Sequence, residues 1–232
     1  MSAARDARGK RRSTGIAAAR RRGPSGAMIA AIVVVALFAA AVGFGVWYSS
    51  RDAGGPVPPG ATATGVPIGD PAAPHTVDVY LDFLCPVCRA YEQQSGETLD
   101  ELVASGKAKV VYHPIAILDR LSSTEYSSRA AAASGCAAAA GVFPQFVELL
   151  FANQPPENSA GLPDSRLAEL ARQAGAPATV EQCIADGTYL DWAAGVTEAS
   201  SKAGVNATPT VLVDGKRIAL TDEALRAATD LQ

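Results

Sequence analysis

Thr76-Val77-Asp78-Val79-Tyr80-Leu81-Asp82-Phe83 runs directly into Leu84-Cys85-Pro86-Val87-Cys88. The alternation of apolar side chains over 76–83 predicts a buried strand. Pro86 suits the first turn of a helix, where a missing N–H leaves no bond unmade. Arg89 to Ser105 then reads as a helix that stops near Gly106. Strand, Cys-x-x-Cys and helix in this order place the first sulfur at a helix N-terminus. Unpaired backbone N–H groups and the positive end of the helix dipole favour a thiolate there. The thiolate is the species that attacks disulfides, so the stretch points to thiol–disulfide exchange.

The other reading of Cys-x-x-Cys is half of a zinc site. The chain holds four cysteines and two histidines, His75 and His113, and offers no second pair at ligand spacing. No metal is expected. A purely structural disulfide between Cys85 and Cys88 would close too short a loop to add much stability.

Downstream, Lys107 to Ile115 alternates as a second strand, with His113-Pro114 at its end. Ser123 to Ala140 is rich in alanine, a strong helix former. Pro144 to Asn153, Ser165 to Gln173 behind an Asp164 N-cap, Thr179 to Asp186 and Tyr189 to Ala203 add helices, with a loop over 154–163. Thr210 to Val213 and Lys216 to Ala219 flank Asp214-Gly215, a hairpin signal. Thr221 caps a last helix over 222–231. The order is β-α-β, a helical insert at about 120–200, then β-β-α. Trp192 and the phenylalanines read as core or groove aromatics. The sequon Asn206-Ala207-Thr208 is taken as a coincidence of composition.

Upstream, residues 1–26 carry eight Lys/Arg and one acid, Asp6. The remainder then has 12 basic and 22 acidic residues. A basic tail can be a nucleic-acid arm, but the next segment argues for a membrane instead. Residues 27–48 are uncharged and almost wholly apolar, long enough as a helix to cross the roughly 30 Å hydrocarbon layer. Trp47 and Tyr48 fall at the position of an interfacial aromatic belt. The cations place the N-terminus in the cytoplasm and everything after residue 50 outside. A cleaved signal peptide is the rival reading, with Ala39-Ala40-Ala41 as its small-residue site. Cleavage there would leave Val42 to Tyr48 as an exposed apolar tail. Residues 49–74, rich in Gly, Pro, Ala and Thr, read as a flexible linker. No nucleic-acid partner is expected.

Two segments carry a more specific resemblance. Asp82-Phe83-Leu84-Cys85-Pro86-Val87-Cys88 and Gly204-Val205-Asn206-Ala207-Thr208-Pro209-Thr210-Val211-Leu212-Val213-Asp214-Gly215 resemble the two signature segments of DsbA-like thioredoxin-fold proteins. The likeness covers about residues 70–232. It implies an α/β thioredoxin fold with an inserted helical domain, behind one transmembrane helix. It also implies Cys85 as the attacking thiol, Cys88 as the resolving thiol, and Thr208-Pro209 as a cis-proline loop facing them. Through that loop an extended substrate segment would pair with the backbone. Asp82 is either a proton relay for Cys88 or an acid favoured by the helix dipole. DsbA itself has a histidine between its cysteines, and Val87 offers neither charge nor hydrogen bond. The Cys85 thiol should therefore be acidified mainly by the helix terminus, and less than in DsbA.

Cys136 and Cys183 remain. Outside the cytoplasm four cysteines suggest two pairs, so a structural disulfide is expected, as in similar family members; two separate buried thiols are the alternative. The chemistry needs no metal and no organic cofactor. Reduced or unfolded exported proteins are the implied substrates, and a quinone-linked membrane protein of the DsbB or vitamin K epoxide reductase type the implied reoxidant. The same chemistry run backwards, as a reductase or isomerase, is the first alternative. A non-catalytic binding or chaperone module is the second.

Overall fold

The computed structural model describes residues 26–49 and 55–231, and the basic tail expected over 1–26 lies almost wholly outside them. Two units are separated near residue 50. The first contains helix α1, Gly26–Ser49. Its side chains are described at 28, 29 and 32–43, and those of Ile32, Val33, Val34, Val35, Leu37 and Phe38 are exposed. Among the described residues no helix is long and apolar enough to cross a membrane.

The second unit is built on a five-stranded sheet of order β1-β3-β2-β4-β5. Strand β2, His75–Leu81, lies at its centre. It runs parallel to β3, Ala108–Pro114, from His75 against Ala108 to Leu81 against Pro114. A parallel pair needs a crossover, and helix α2, Pro86–Ala104, supplies it. On its other side β2 pairs antiparallel with β4, Thr210–Val213. The turn to β5, Lys216–Arg217, places Asp214 at φ 50° and Gly215 at φ 76°. Asp-Gly suits this turn because both central residues need positive φ. Helix α8, Asp222–Ala228, closes the chain, and the Thr221 hydroxyl accepts the Ala224 N–H at 3.2 Å, as an N-cap should.

Between β3 and β4 stand five α-helices: α3 (Tyr126–Ala139), α4 (Phe143–Ala152), α5 (Asp164–Gln173), α6 (Thr179–Ala185) and α7 (Leu190–Lys202). Helix α3 is the spine of this insert. Ala130, Ala131, Ala133 and Ala137 are buried along it, so its neighbours can approach closely. Trp192, Tyr126, Phe143 and Phe146 fill the space around it. Cys136 of α3 is bonded to Cys183 of α6, with Cα atoms 6.0 Å apart. The Asp164 cap expected from sequence is displaced by one residue. Pro163 occupies the cap position, and Asp164 is the first helical residue, with its carboxylate on Arg129 at 2.6 Å.

The linker expected over 49–74 requires a larger correction. Strand β1, Val66–Ile68, lies inside it and pairs antiparallel with β3 at the sheet edge. Val-Pro-Ile is too short to show a period, and proline is tolerated at an edge. The preceding turn is fixed by long-range bonds: the Trp192 indole N–H donates to the Thr62 carbonyl at 2.8 Å. The His113 ring reaches the Thr64 carbonyl through Nδ1 at 2.6 Å and Asp78 through Nε2 at 2.9 Å, and stacks on Tyr80. Gly65 is required here, since a Cβ would lie 2.5 Å from the Tyr112 carbonyl oxygen. His113 thus secures the strand edge, in line with its reading as a strand end.

Candidate active site

Cys85 is the N-cap of α2 and Pro86 its first residue, in the first turn as its missing N–H led one to expect. The turn into the helix is tied by the Cys85 N–H to the Asp82 carbonyl at 3.0 Å, and by the Arg89 N–H to the Cys85 carbonyl at 3.2 Å. Both sulfurs are thiols, and both cysteines are buried. Cys85 borders the surface beside Val87, which is 56% exposed. Cys88 faces inward.

The Thr208–Pro209 peptide bond is cis. The Cys85 thiol donates to the Thr208 carbonyl at 3.6 Å, so residues 123 positions apart meet at one sulfur. The structure therefore brings together Cys85, Cys88, Pro86, Val87, Thr208 and Pro209. Cys136 and Cys183 lie apart, in the insert.

The two thiols are unequal. The Cys85 thiol is lowered to about 6, first by a hydrogen bond from Cys88, against the opposing effect of burial, then by the backbone at Cys88, by Thr208 and by the backbone at Val87. Cys88 is pushed far up by burial and by the neighbouring Cys85 sulfur. The helix terminus acidifies Cys85 as expected through its N–H groups, but it is not the main source: the resolving thiol contributes most. Val87 supplies no side-chain hydrogen bond, as expected.

Asp82 is wholly buried. One carboxylate oxygen accepts from the Leu84 N–H at 2.9 Å and the Ser127 hydroxyl at 2.7 Å. The other accepts from the N–H groups of Ile117 and Leu118, both at 3.0 Å. Burial raises its carboxyl to about 6 despite these four donors. Both oxygens are thus committed to holding the loop after β3 and the start of α3 against the cysteine turn. The part of Asp82 that bears on the Cys88 sulfur is its backbone.

Gln154, which follows α4, was not foreseen. Its side-chain amide donates to the carbonyls of Phe83 and Cys85, each at 2.9 Å. In sequence it is one polar residue in a loop, and only the packing of the insert against the sheet reveals it.

A dithiol with one acidified, surface-bordering sulfur and one buried partner, at a helix N-terminus opposite a cis-proline, defines a thioredoxin-fold thiol–disulfide oxidoreductase. Comparison with known proteins agrees. Residues 61–230 match the family model described as thioredoxin. The disulfide bond oxidoreductase DsbG of Mycobacterium tuberculosis, in its reduced form, superimposes with a TM-score of 0.62 at 36% identity, over 74% of this chain and 84% of that one. Reduced DsbA of the same organism gives 0.58 at 37% identity, over 69% and 83%. The thiol-disulfide oxidoreductase MdbA of Corynebacterium diphtheriae shares the fold, with a TM-score of 0.63 at 22% identity, over 75% of this chain and 92% of that one. A 164-residue segment is 37% identical to part of the serine/threonine-protein kinase PknE of M. tuberculosis; the match spans 66% of this chain and 29% of the kinase's length. The chain belongs to the thioredoxin family and is a thiol–disulfide oxidoreductase of the DsbA type that carries the Cys-x-x-Cys of Cys85 and Cys88.

Proposed function

We propose that the protein is a membrane-tethered oxidase that introduces disulfides into exported proteins. The observation that carries the direction is the acidified Cys85 thiol beside a buried Cys88. A thiolate favoured in the folded protein stabilises the dithiol over the disulfide and makes the disulfide more oxidising. Lowering from 9.0 to about 6 leaves, after solvent screening on the open side, about 1 kcal/mol at neutral pH, or roughly 20 mV.

A substrate thiolate attacks Cys85 Sγ of the Cys85–Cys88 disulfide. The S–S bond breaks, Cys88 leaves as thiolate and takes a proton, and a mixed disulfide remains on Cys85. A second substrate thiolate attacks the substrate sulfur of that bond and expels Cys85 as thiolate. The substrate loses two electrons and the enzyme gains them. Reoxidation falls to a quinone-linked membrane partner of the DsbB or vitamin K epoxide reductase type. Asp82 acts as a positioning residue for the turn, and the Thr208 backbone receives the extended substrate.

The tether rests on the eight cations ahead of an apolar helical segment. It puts the catalytic unit outside the cytoplasm and raises its effective concentration near a membrane partner. The test is oxidative refolding of a reduced, unfolded substrate, paired with the equilibrium potential of Cys85–Cys88 in glutathione buffer. An oxidase refolds the substrate stoichiometrically and has a potential well above roughly −270 mV, the thioredoxin value. A potential at or below that value makes the protein a reductase and overturns the proposal.

A further inference from the structure

The turn that carries Cys85 is held from the insert as well as from within. Gln154 sends both N–H groups of one amide to the Phe83 and Cys85 carbonyls. Both partners are acceptors, so only the NH2 end of the amide can face them. The residue has little freedom to move. Its own N–H donates to the Phe151 carbonyl at 3.3 Å, and Phe151 packs on Phe83 with ring centroids 5.5 Å apart. Asn153, at the end of α4, is fixed by Arg166 at 2.8 Å. Beyond it, the Asn158 N–H donates to the Leu121 carbonyl at 2.7 Å and the Ser123 N–H to the Ser159 carbonyl at 3.1 Å. The amide is therefore presented from a braced support.

We infer that Gln154 is a positioning residue for the dithiol: it holds the Phe83 and Cys85 carbonyls toward the insert, leaving the Cys85 sulfur to the N–H groups of α2. A carbonyl oxygen is the negative end of a peptide dipole, and near a thiolate it repels. Pro86 has no N–H, so the peptide after Cys85 cannot donate to the sulfur. Holding these two carbonyls in place leaves the N–H groups at Val87 and Cys88 as the backbone dipoles that meet the sulfur. The titratable group bearing on Cys85 is Cys88 on α2. The Asp82 carboxylate is committed to Leu84, Ile117, Leu118 and Ser127, and Arg89 on α2 and Arg120 after β3 are exposed.

The inference concerns thiol reactivity and stands whether the enzyme oxidises or reduces its substrates. The experiment is alkylation of the reduced full-length protein by iodoacetamide across pH, with reaction at Cys85 read by mass spectrometry. Gln154→Leu, which keeps the bulk and loses both donors, should raise the Cys85 midpoint by about one pH unit. Its alkylation near pH 6 should slow about fivefold to tenfold, and the rates should converge near pH 9, where both proteins are thiolate. Gln154→Glu, which turns a carboxylate toward the two carbonyls, should raise the midpoint further. An unchanged midpoint in the leucine variant overturns the inference. So does a loss of the same factor at both ends of the pH range, the sign of general structural damage.

Discussion

Replacing Cys88 by alanine separates the two sources of Cys85 acidity. Cys88 donates the hydrogen bond that contributes most to the lowered Cys85 thiol, and the α2 N–H groups follow. A hydrogen bond to an ionised group is worth about 1.5–3 kcal/mol, and one pH unit of midpoint corresponds to about 1.4 kcal/mol. In Cys88→Ala the midpoint should move from about 6 to about 7–8. The thiolate fraction at neutral pH should drop from about nine-tenths to between about a tenth and a half. Cys88→Ser keeps a donor of similar reach and should stay near the wild type. The assay is thiolate ultraviolet absorbance followed across pH, with Cys136–Cys183 left oxidised so that Cys85 is the thiol observed. An alanine variant that titrates at the wild-type midpoint would refute the reasoning and return the acidity to the helix terminus.

Two further outcomes follow from the geometry. Cys136→Ala/Cys183→Ala opens a link between residues 47 apart, which should cost about 4 kcal/mol of chain entropy and lower Tm by about 8–16 °C; calorimetry of the oxidised proteins checks it, and Cys85–Cys88 exchange at low temperature should survive. Asp82 is pushed up to about 6 from 3.8, so the native state holds its proton more tightly than the unfolded chain. Asp82 should therefore contribute a fall in stability of about 2–3 kcal/mol as pH rises from about 4 to about 7, and Asp82→Asn should reduce the slope in urea unfolding by that amount, leaving the part due to Glu92, which burial raises to about 7.

The strands and helices of the second unit were largely readable because each is long enough to show its period. β2 and β3 alternate, α3 is a run of helix-forming alanines, and Asp-Gly marks the β4–β5 turn. Strand β1 was not readable, because three residues in a proline-rich stretch carry no period. What makes Val66–Ile68 a strand is the open edge of β3, together with Trp192 and His113, which bind the turn before it.

The site divides in the same way. Cys85, Cys88, Thr208 and Pro209 were identifiable in the sequence because their chemistry is local: two thiols at a helix start, and a proline before a strand. Their resemblance to one family supplied the facing arrangement, and the 3.6 Å approach of the Cys85 thiol to the Thr208 carbonyl gives it a distance. For Asp82 the sequence left two roles open. Packing adds a third, positioning role, by surrounding the carboxylate with donors from the cysteine turn, from the loop after β3 and from α3. For Cys85 the sequence placed the acidity in the helix, and the fold gave the larger part to Cys88. Gln154 was invisible for the same reason that β1 was. The sequence determined which groups have reactive or periodic character of their own. The tertiary structure decided which neutral groups lie within hydrogen-bond reach of them, because that depends on where distant segments pack.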